Sequence, residues 1–172
     1  GQRLTQWRTA CASALAASYL AREDASKLLI VGAGALSTFL ARAHRAVRPI
    51  TEIRVWNRTP ANARKVVAEL RAEGIDASAA GDLDETVGWA DIVSAATIST
   101  DPLIKGARLR PGTHVDLVGA FTPTMRESDD EAIRRARVHV DTRAGATKEA
   151  GDIVQAIASG ALSQDGIVAD LF

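Results

Sequence analysis

The 172-residue chain is 47% apolar and 24% charged, the balance of a globular protein with a full core, and its 21 basic and 21 acidic residues cancel. That neutrality argues against a general nucleic-acid binder and a polybasic membrane-surface module, and no apolar run reaches the roughly 18 residues of a membrane span. The single Cys11 excludes an internal disulfide and a cysteine zinc site, so a cytoplasmic setting is expected and the thiol is expected as a small core residue.

The pattern predicts a helix over Leu4–Ala21, rich in small apolar residues and capped by Thr5. Leu28–Val31 is a short apolar run suited to a buried parallel strand. A helix over Ala35–Val47, an alternating strand over Glu52–Trp56 and a helix over Pro60–Glu73 follow, with Pro at the first turn of the last and Gly74 just past its end. Further strands are expected at Ala77–Ala79, Asp91–Ala96, His114–Val118 and Arg137–Val140. Helices are expected at Asp82–Gly88, after Ser128-Asp129-Asp130-Glu131, and at Ile153–Ala158. Neither end carries a targeting signature, and a helical pattern begins almost at Gly1, so a piece of a longer polypeptide is expected.

Alternating strands and helices mean a parallel sheet with right-handed crossovers. Six strands fit a doubly wound, three-layer αβα Rossmann dinucleotide-binding fold over 1–172, with spatial order 3-2-1-4-5-6 and ligands at the carboxyl ends of the strands.

The first strand runs into Gly32-Ala33-Gly34-Ala35-Leu36-Ser37, a G-x-G-x-x-S turn. Gly32 permits the tight turn, Gly34 lets backbone approach a pyrophosphate, and the following helix start offers free N–H groups. Ser37 replaces the usual third Gly or Ala but is small enough for close packing. The alternative is a glycine turn that only packs. The second strand ends in Asn57-Arg58-Thr59, and no acidic residue occurs between Val55 and Glu69. An NAD site usually has a carboxylate here for the ribose hydroxyls. Arg58 can instead pair with a 2′-phosphate, with Asn57 and Thr59 as further donors, so NADP(H) is expected over NAD(H). The competing reading is a solvated turn.

Arg8 is either a carboxylate clamp or a surface arginine. Arg8 and Thr9 point about 100° apart on a helix, so they need not share a target. The segments Ala96-Thr97-Ile98-Ser99 and Val118-Gly119-Ala120-Phe121 end later strands, where Gly119 and Ala120 would let backbone approach a ribose or nicotinamide. Arg126, Glu127, Asp129 and Asp130 read first as helix-start charges and second as site residues. His44, His114 and His139 have no triad or metal spacing and read as structural.

The segments LTQWRTACASALAA, LLIVGAGALS, VWNRTPANA, ADIVSAATIST, LRPGTHVDLVGAFTPTMRESDD and AGDIVQAIASGAL together resemble the ornithine cyclodeaminase/mu-crystallin family, in the family's order. The resemblance implies the family's central nucleotide-binding domain, with a homodimer made through segments outside this chain. It implies that Arg8 grips a substrate carboxylate and that Thr9 contacts the cofactor. It places Gly34 and Ala35 at the pyrophosphate, Asn57 and Arg58 at the adenosine ribose, and Thr97, Val118 and Gly119 along the cofactor. The family's catalytic lysine would fall before Gly1. Where ornithine cyclodeaminases carry an aspartate that handles the amino group, this sequence has Phe121, which cannot accept a proton. The leading expectation is therefore NADP(H)-dependent hydride transfer at the α carbon of a small amino or cyclic imino acid. Ornithine cyclodeamination, and a mu-crystallin-like protein that binds NADPH and a small ligand, are the alternatives.

Overall fold

The computed structural model describes residues 1–171. The chain forms two compact units: residues 1–96 with 110–118, and residues 97–109 with those from Gly119 onward.

The first unit holds α1 (Gln2–Leu20), β1 (Lys27–Val31), α2 (Ser37–Val47), β2 (Glu52–Trp56), α3 (Pro60–Ala72), β3 (Ala77–Ala79), α4 (Leu83–Trp89), β4 (Ile92–Ala95) and β5 (His114–Leu117). Its five strands are all parallel, in the order β3-β2-β1-β4-β5. Central β1 is apolar on both faces because both are covered: Leu28, Leu29, Ile30 and Val31 are fully buried. Burying each such side chain stabilises the fold by about 1.5–3 kcal/mol. β2 keeps alternation, with Ile53 and Val55 inward and Arg54 stacked 4.0 Å from the Trp89 ring centroid. Small residues recur on one face of α1, and Ala10, Ala14 and Ala17 let it pack closely on α2. Arg48 closes the C-terminal end of α1, donating to the carbonyls of Ser18 at 2.8 Å and Ala21 at 2.9 Å.

Several helix starts differ from the sequence reading by one or two residues. Thr5 lies inside α1, whose N-cap is Gly1. Helix α2 starts at Ser37, because Gly34-Ala35-Leu36 are used by the turn that leaves β1.

The second unit holds α5 (Asp130–Arg135), β6 (Val138–His139), α6 (Arg143–Ala146), α7 (Gly151–Ala158) and β7 (Ile167–Ala169). The expected sixth strand does not extend the main sheet. It is two residues long and pairs in parallel with β7, over a small core that includes Ile133, Ile153, Ala156 and Ile167. A strand this short satisfies its backbone with the nearest available partner, and the apolar run at Ile167–Ala169 supplies one.

Asp91, just before β4, ties the amino ends of the first unit together. Its carboxylate accepts from Arg22 at 2.7 Å, from the N–H groups of Ser26 and Lys27 at 3.1 Å each, and from Arg110 at 3.1 Å. Burial pushes this carboxyl up, but the two N–H groups and the two guanidiniums outweigh it and hold it below the usual value. A depressed carboxyl contributes stability that is whole above the unfolded range near about pH 4 and is lost as pH falls through the lower folded value. Asp91→Ala should therefore cost about 3 kcal/mol at neutral pH, by urea denaturation, and much less at about pH 2. Equal losses at both pH values would show that the carboxylate charge is not what binds these segments.

Candidate functional site

The turn after β1 is fixed by backbone geometry. Gly32 is buried with φ 107°, a conformation that an L side chain rarely adopts. Its N–H donates to the Trp56 carbonyl at 2.9 Å, so the ends of β1 and β2 stay side by side. Asn57 strengthens that join. Its side-chain oxygen accepts from Ala33 N–H at 3.1 Å, and its amide donates to the Thr59 carbonyl at 3.1 Å. Ser37 is buried and its hydroxyl donates to the Gly34 carbonyl at 2.7 Å. Ser37 thus locks the turn, a role the packing argument for a small residue did not include.

Gly34 and Ala35 are exposed, and a Cβ built on Gly34 would meet nothing within 4 Å. A cleft of about 320 Å³ opens here, lined by Gly34, Ser37, Phe39, Asn62, Lys65 and Glu69 among others. The start of α2 beside it has first-turn N–H groups without helical acceptors. Arg58 and Thr59 are exposed at the end of β2, and Arg58 has no hydrogen-bond or ion-pair partner among the described residues.

On α1, Arg8 is exposed and likewise unpartnered among the described residues, whereas Thr9 is half-buried. The neighbouring Trp7 packs edge-on against Phe39, with ring centroids 5.0 Å apart. Cys11 is exposed on α1 and is not the core residue expected, because the buried stripe of α1 runs through Ala10, Ser13, Ala14 and Ala17.

His44 is fully buried, with Nε2 3.4 Å from Asp116, and Ser94 donates to the same carboxylate oxygen at 2.7 Å. Burial pushes Asp116 up, but His44 and the Ser94 hydroxyl hold it below its ordinary value. Ser94 and His44 address one oxygen of Asp116 and not each other, so the group braces β4, β5 and α2 and forms no nucleophilic triad. Val118, which follows β5, is half-buried against the sheet core and donates to the Ala95 carbonyl at 2.8 Å.

In the second unit, the residues following β4 and β5 meet on a carboxylate that sequence reasoning ranked low. Glu127 is fully buried and lies before α5, not in it. It accepts from Thr97 N–H at 2.6 Å, from the Thr97 hydroxyl at 2.8 Å and from Gly119 N–H at 2.7 Å. Asp152, at the start of α7, accepts from the N–H and hydroxyl of Ser128, each at 2.8 Å, and from Glu127 N–H at 3.1 Å. Burial pushes both carboxyls up, against the pull of these donors. Asp129 and Asp130 do start a helix: Asp129 caps α5, and Asp130 pairs with Arg126. Glu127 carries no periodic signal in the polar run around it, so only its partners reveal it. Gly119 is required by packing, since a Cβ there would lie 2.1 Å from the Thr97 carbonyl oxygen and 2.6 Å from Glu127. Ile98 and Phe121, 78% and 64% exposed, flank this network in sequence.

The sequence profile of the ornithine cyclodeaminase/mu-crystallin family matches residues 1–172. The chain belongs to that family. Its relatives include a Delta(1)-pyrroline-2-carboxylate reductase of Paracoccus denitrificans, 45% identical over 98% of this chain and 54% of the relative. The ketimine reductase mu-crystallin of Rattus norvegicus is 34% identical over 90% of this chain and 48% of its own length. Among solved structures, the Thermococcus litoralis Delta(1)-pyrroline-2-carboxylate reductase in complex with NADH and L-proline superposes with a TM-score of 0.96. It is 34% identical over 99% of this chain and 53% of its own. The chain thus spans about half the length of the relatives it matches. The five-stranded parallel sheet is this family's Rossmann-like fold.

The two strand-end glycines should respond in opposite ways to one methyl group. Gly34→Ala should leave the melting temperature nearly unchanged, because the space is open. Gly119→Ala should cost about 3 kcal/mol, because backbone and a buried carboxylate must move. Equal stability of the two variants would refute the close approach of Thr97 and Gly119.

Proposed function

We propose that this protein is an NADP(H)-dependent reductase of a small cyclic imino acid, of the pyrroline-carboxylate or ketimine type. The observation that carries the reading is the exposed turn at Gly34 and Ala35 after central β1, with unpartnered Arg58 at the neighbouring strand end. These residues fit a dinucleotide: Gly34 has open space where a pyrophosphate approaches, and the start of α2 offers N–H donors. Arg58 suits a 2′-phosphate, with no carboxylate near it in sequence to prefer an unmodified ribose. Asn57 serves mainly to hold Ala33 and Thr59, so the charge recognition falls to Arg58.

The nicotinamide supplies the hydride; the chain's own residues bind and orient. Arg8 takes the substrate carboxylate through its forked N–H donors and so presents the C=N carbon. Thr9, Thr97, Val118 and Gly119 lie along the cofactor in this reading. Phe121 stands where ornithine cyclodeaminases have an aspartate, which disfavours ornithine as substrate: a phenyl ring cannot take up the proton of the amino group. The names of the reductases to which the chain is similar support the same choice. The exposed Phe121 also suits a second reading, a protein that holds NADPH and a small hydrophobic ligand without turnover. A cytoplasmic homodimer is part of the proposal.

With the full-length protein, NADPH oxidation dependent on a cyclic imino acid supports the reductase. Ornithine turnover without net cofactor consumption would identify a cyclodeaminase, and tight NADPH binding without turnover a binding protein. Gly34→Val should abolish dinucleotide binding at unchanged stability. Arg58→Ala should weaken NADP(H) about tenfold and leave NAD(H) nearly unaffected, and the wild-type preference should shrink at high salt. Equal weakening of both cofactors would remove Arg58 from the 2′-phosphate. Arg8→Ala should cost about 1.5–3 kcal/mol of substrate affinity with little effect on cofactor, measured by separate titrations.

A further inference from the structure

The segments after β4 and β5 are loops, and a loop left to itself samples many backbone conformations. Here both are held by one side chain. The two oxygens of Glu127 divide the work: Oε1 accepts from Thr97 N–H and the Thr97 hydroxyl, and Oε2 accepts from Gly119 N–H. The carboxylate is inaccessible to bulk solvent. Its own backbone is fixed in turn, since Glu127 N–H donates to Asp152 and the Glu127 carbonyl accepts from the N–H groups of Leu103 at 2.9 Å and Ile104 at 2.8 Å. Asp152 is fixed through Ser128, and Gly151 next to it donates its N–H to the Ala120 carbonyl at 2.9 Å. The loop following Gly119 is therefore held at both Gly119 and Ala120.

A carboxylate at this position is costly to bury, and three donors from the fold's two strand-end segments do not arise from helix capping. We propose that Glu127 is a positioning residue: its buried carboxylate sets the spacing of the Thr97 and Gly119 backbones, and through them the placement of the nicotinamide half of the cofactor. Asp152 supports it by holding Glu127 and Ser128. The inference rests on the cofactor assignment of Thr97 and Gly119 proposed above. The chemistry calls for a carboxylate specifically. An amide has one acceptor oxygen, so Glu127→Gln can serve the Thr97 arm or the Gly119 arm but must turn an NH2 toward the other N–H.

The test uses the full-length protein and two probes: whichever of NADPH or NADH the wild type binds, and the same molecule without its nicotinamide ring (2′-phospho-ADP-ribose or ADP-ribose). The ring-free probe engages only the half assigned to the glycine turn and Arg58. Glu127→Gln should weaken the complete dinucleotide about tenfold while the ring-free probe binds as in wild type, the effect of one lost charge-assisted hydrogen bond. Turnover at saturating cofactor should fall as well. Thr97→Val removes one of the three bonds to Glu127, with the longer Ser99 N–H contact at 3.3 Å, and leaves both N–H contacts to the carboxylate, so it is the milder variant should Glu127→Gln fail to fold. It should show a smaller loss confined to the complete dinucleotide, and Thr97→Ser should restore binding. Equal losses for both probes, or none for either, would overturn the inference and leave Glu127 as a brace of the second unit only. Wild-type protein that binds neither probe would instead sink the cofactor assignment itself.

Discussion

Everything proposed for the first unit hangs on the left-handed backbone at Gly32. Central β1 is hydrogen-bonded on both sides, to β2 and β4, so its chain can leave only beyond the sheet edge formed by the strand ends. At φ 107° the chain turns at once, while the Gly32 N–H still bonds the end of β2. A side chain at this position would force a wider exit. Gly34 and Ala35 would then no longer be presented at the start of α2. Asn57 and Ser37 hold the same turn from either side, so the exposed backbone is tied by hydrogen bonds that an exposed loop ordinarily lacks.

Rigid strand ends are what a dinucleotide-binding fold requires, and this chain obtains them in two ways. At β1 and β2, backbone conformation and two neutral side chains, Asn57 and Ser37, suffice. The segments after β4 and β5 rely on buried charge. The contrast follows from what the sequence offers at each place. A turn leading directly into an eleven-residue helix is anchored by that helix. Thr97 leads into irregular chain with only a short 3-10 helix at Gly106–Arg108, and Gly119 into another irregular stretch, so neither has a long element to inherit order from. Glu127 and Asp152 supply it by accepting N–H groups that a helix would otherwise satisfy.

Periodicity made most of the first unit legible. The strands Glu52–Trp56 and Ala77–Ala79 have the bounds read from the sequence, and the G-x-G turn lies between β1 and α2 as its context demanded. What the sequence hid is non-local. Nothing in Arg137–Val140 says that its partner is Ile167–Ala169, since a two-residue strand has no pattern long enough to specify a sheet. The turn chemistry of Ser128-Asp129-Asp130 was visible, and its very strength masked Glu127 one residue earlier, whose partners lie 30 residues before it and 8 before it in the chain. Cys11 lies off the core because α1 buries alanines on a narrow stripe, and a small residue on either side of that stripe looks the same in sequence.

The residues proposed to meet ligands share a property that composition cannot express. Most arginines here are consumed by structure: Arg48 on the end of α1, Arg42 on Glu69 and Glu73, Arg54 on Trp89, Arg110 on Asp91. An unpartnered arginine is not by itself a site, because a solvated guanidinium costs the fold nothing. Position gives it meaning. Arg58 follows the β2 end that Asn57 ties to the glycine turn, two residues from the end of that strand, so its base is fixed while its charge is free. Such a side chain loses only its own rotamer freedom on pairing, and the backbone ordering has already been met by folding. In the proposed NADP(H) site, a cation mounted in this way would discriminate between ligands by charge, which is the distinction between a phosphorylated and an unphosphorylated ribose.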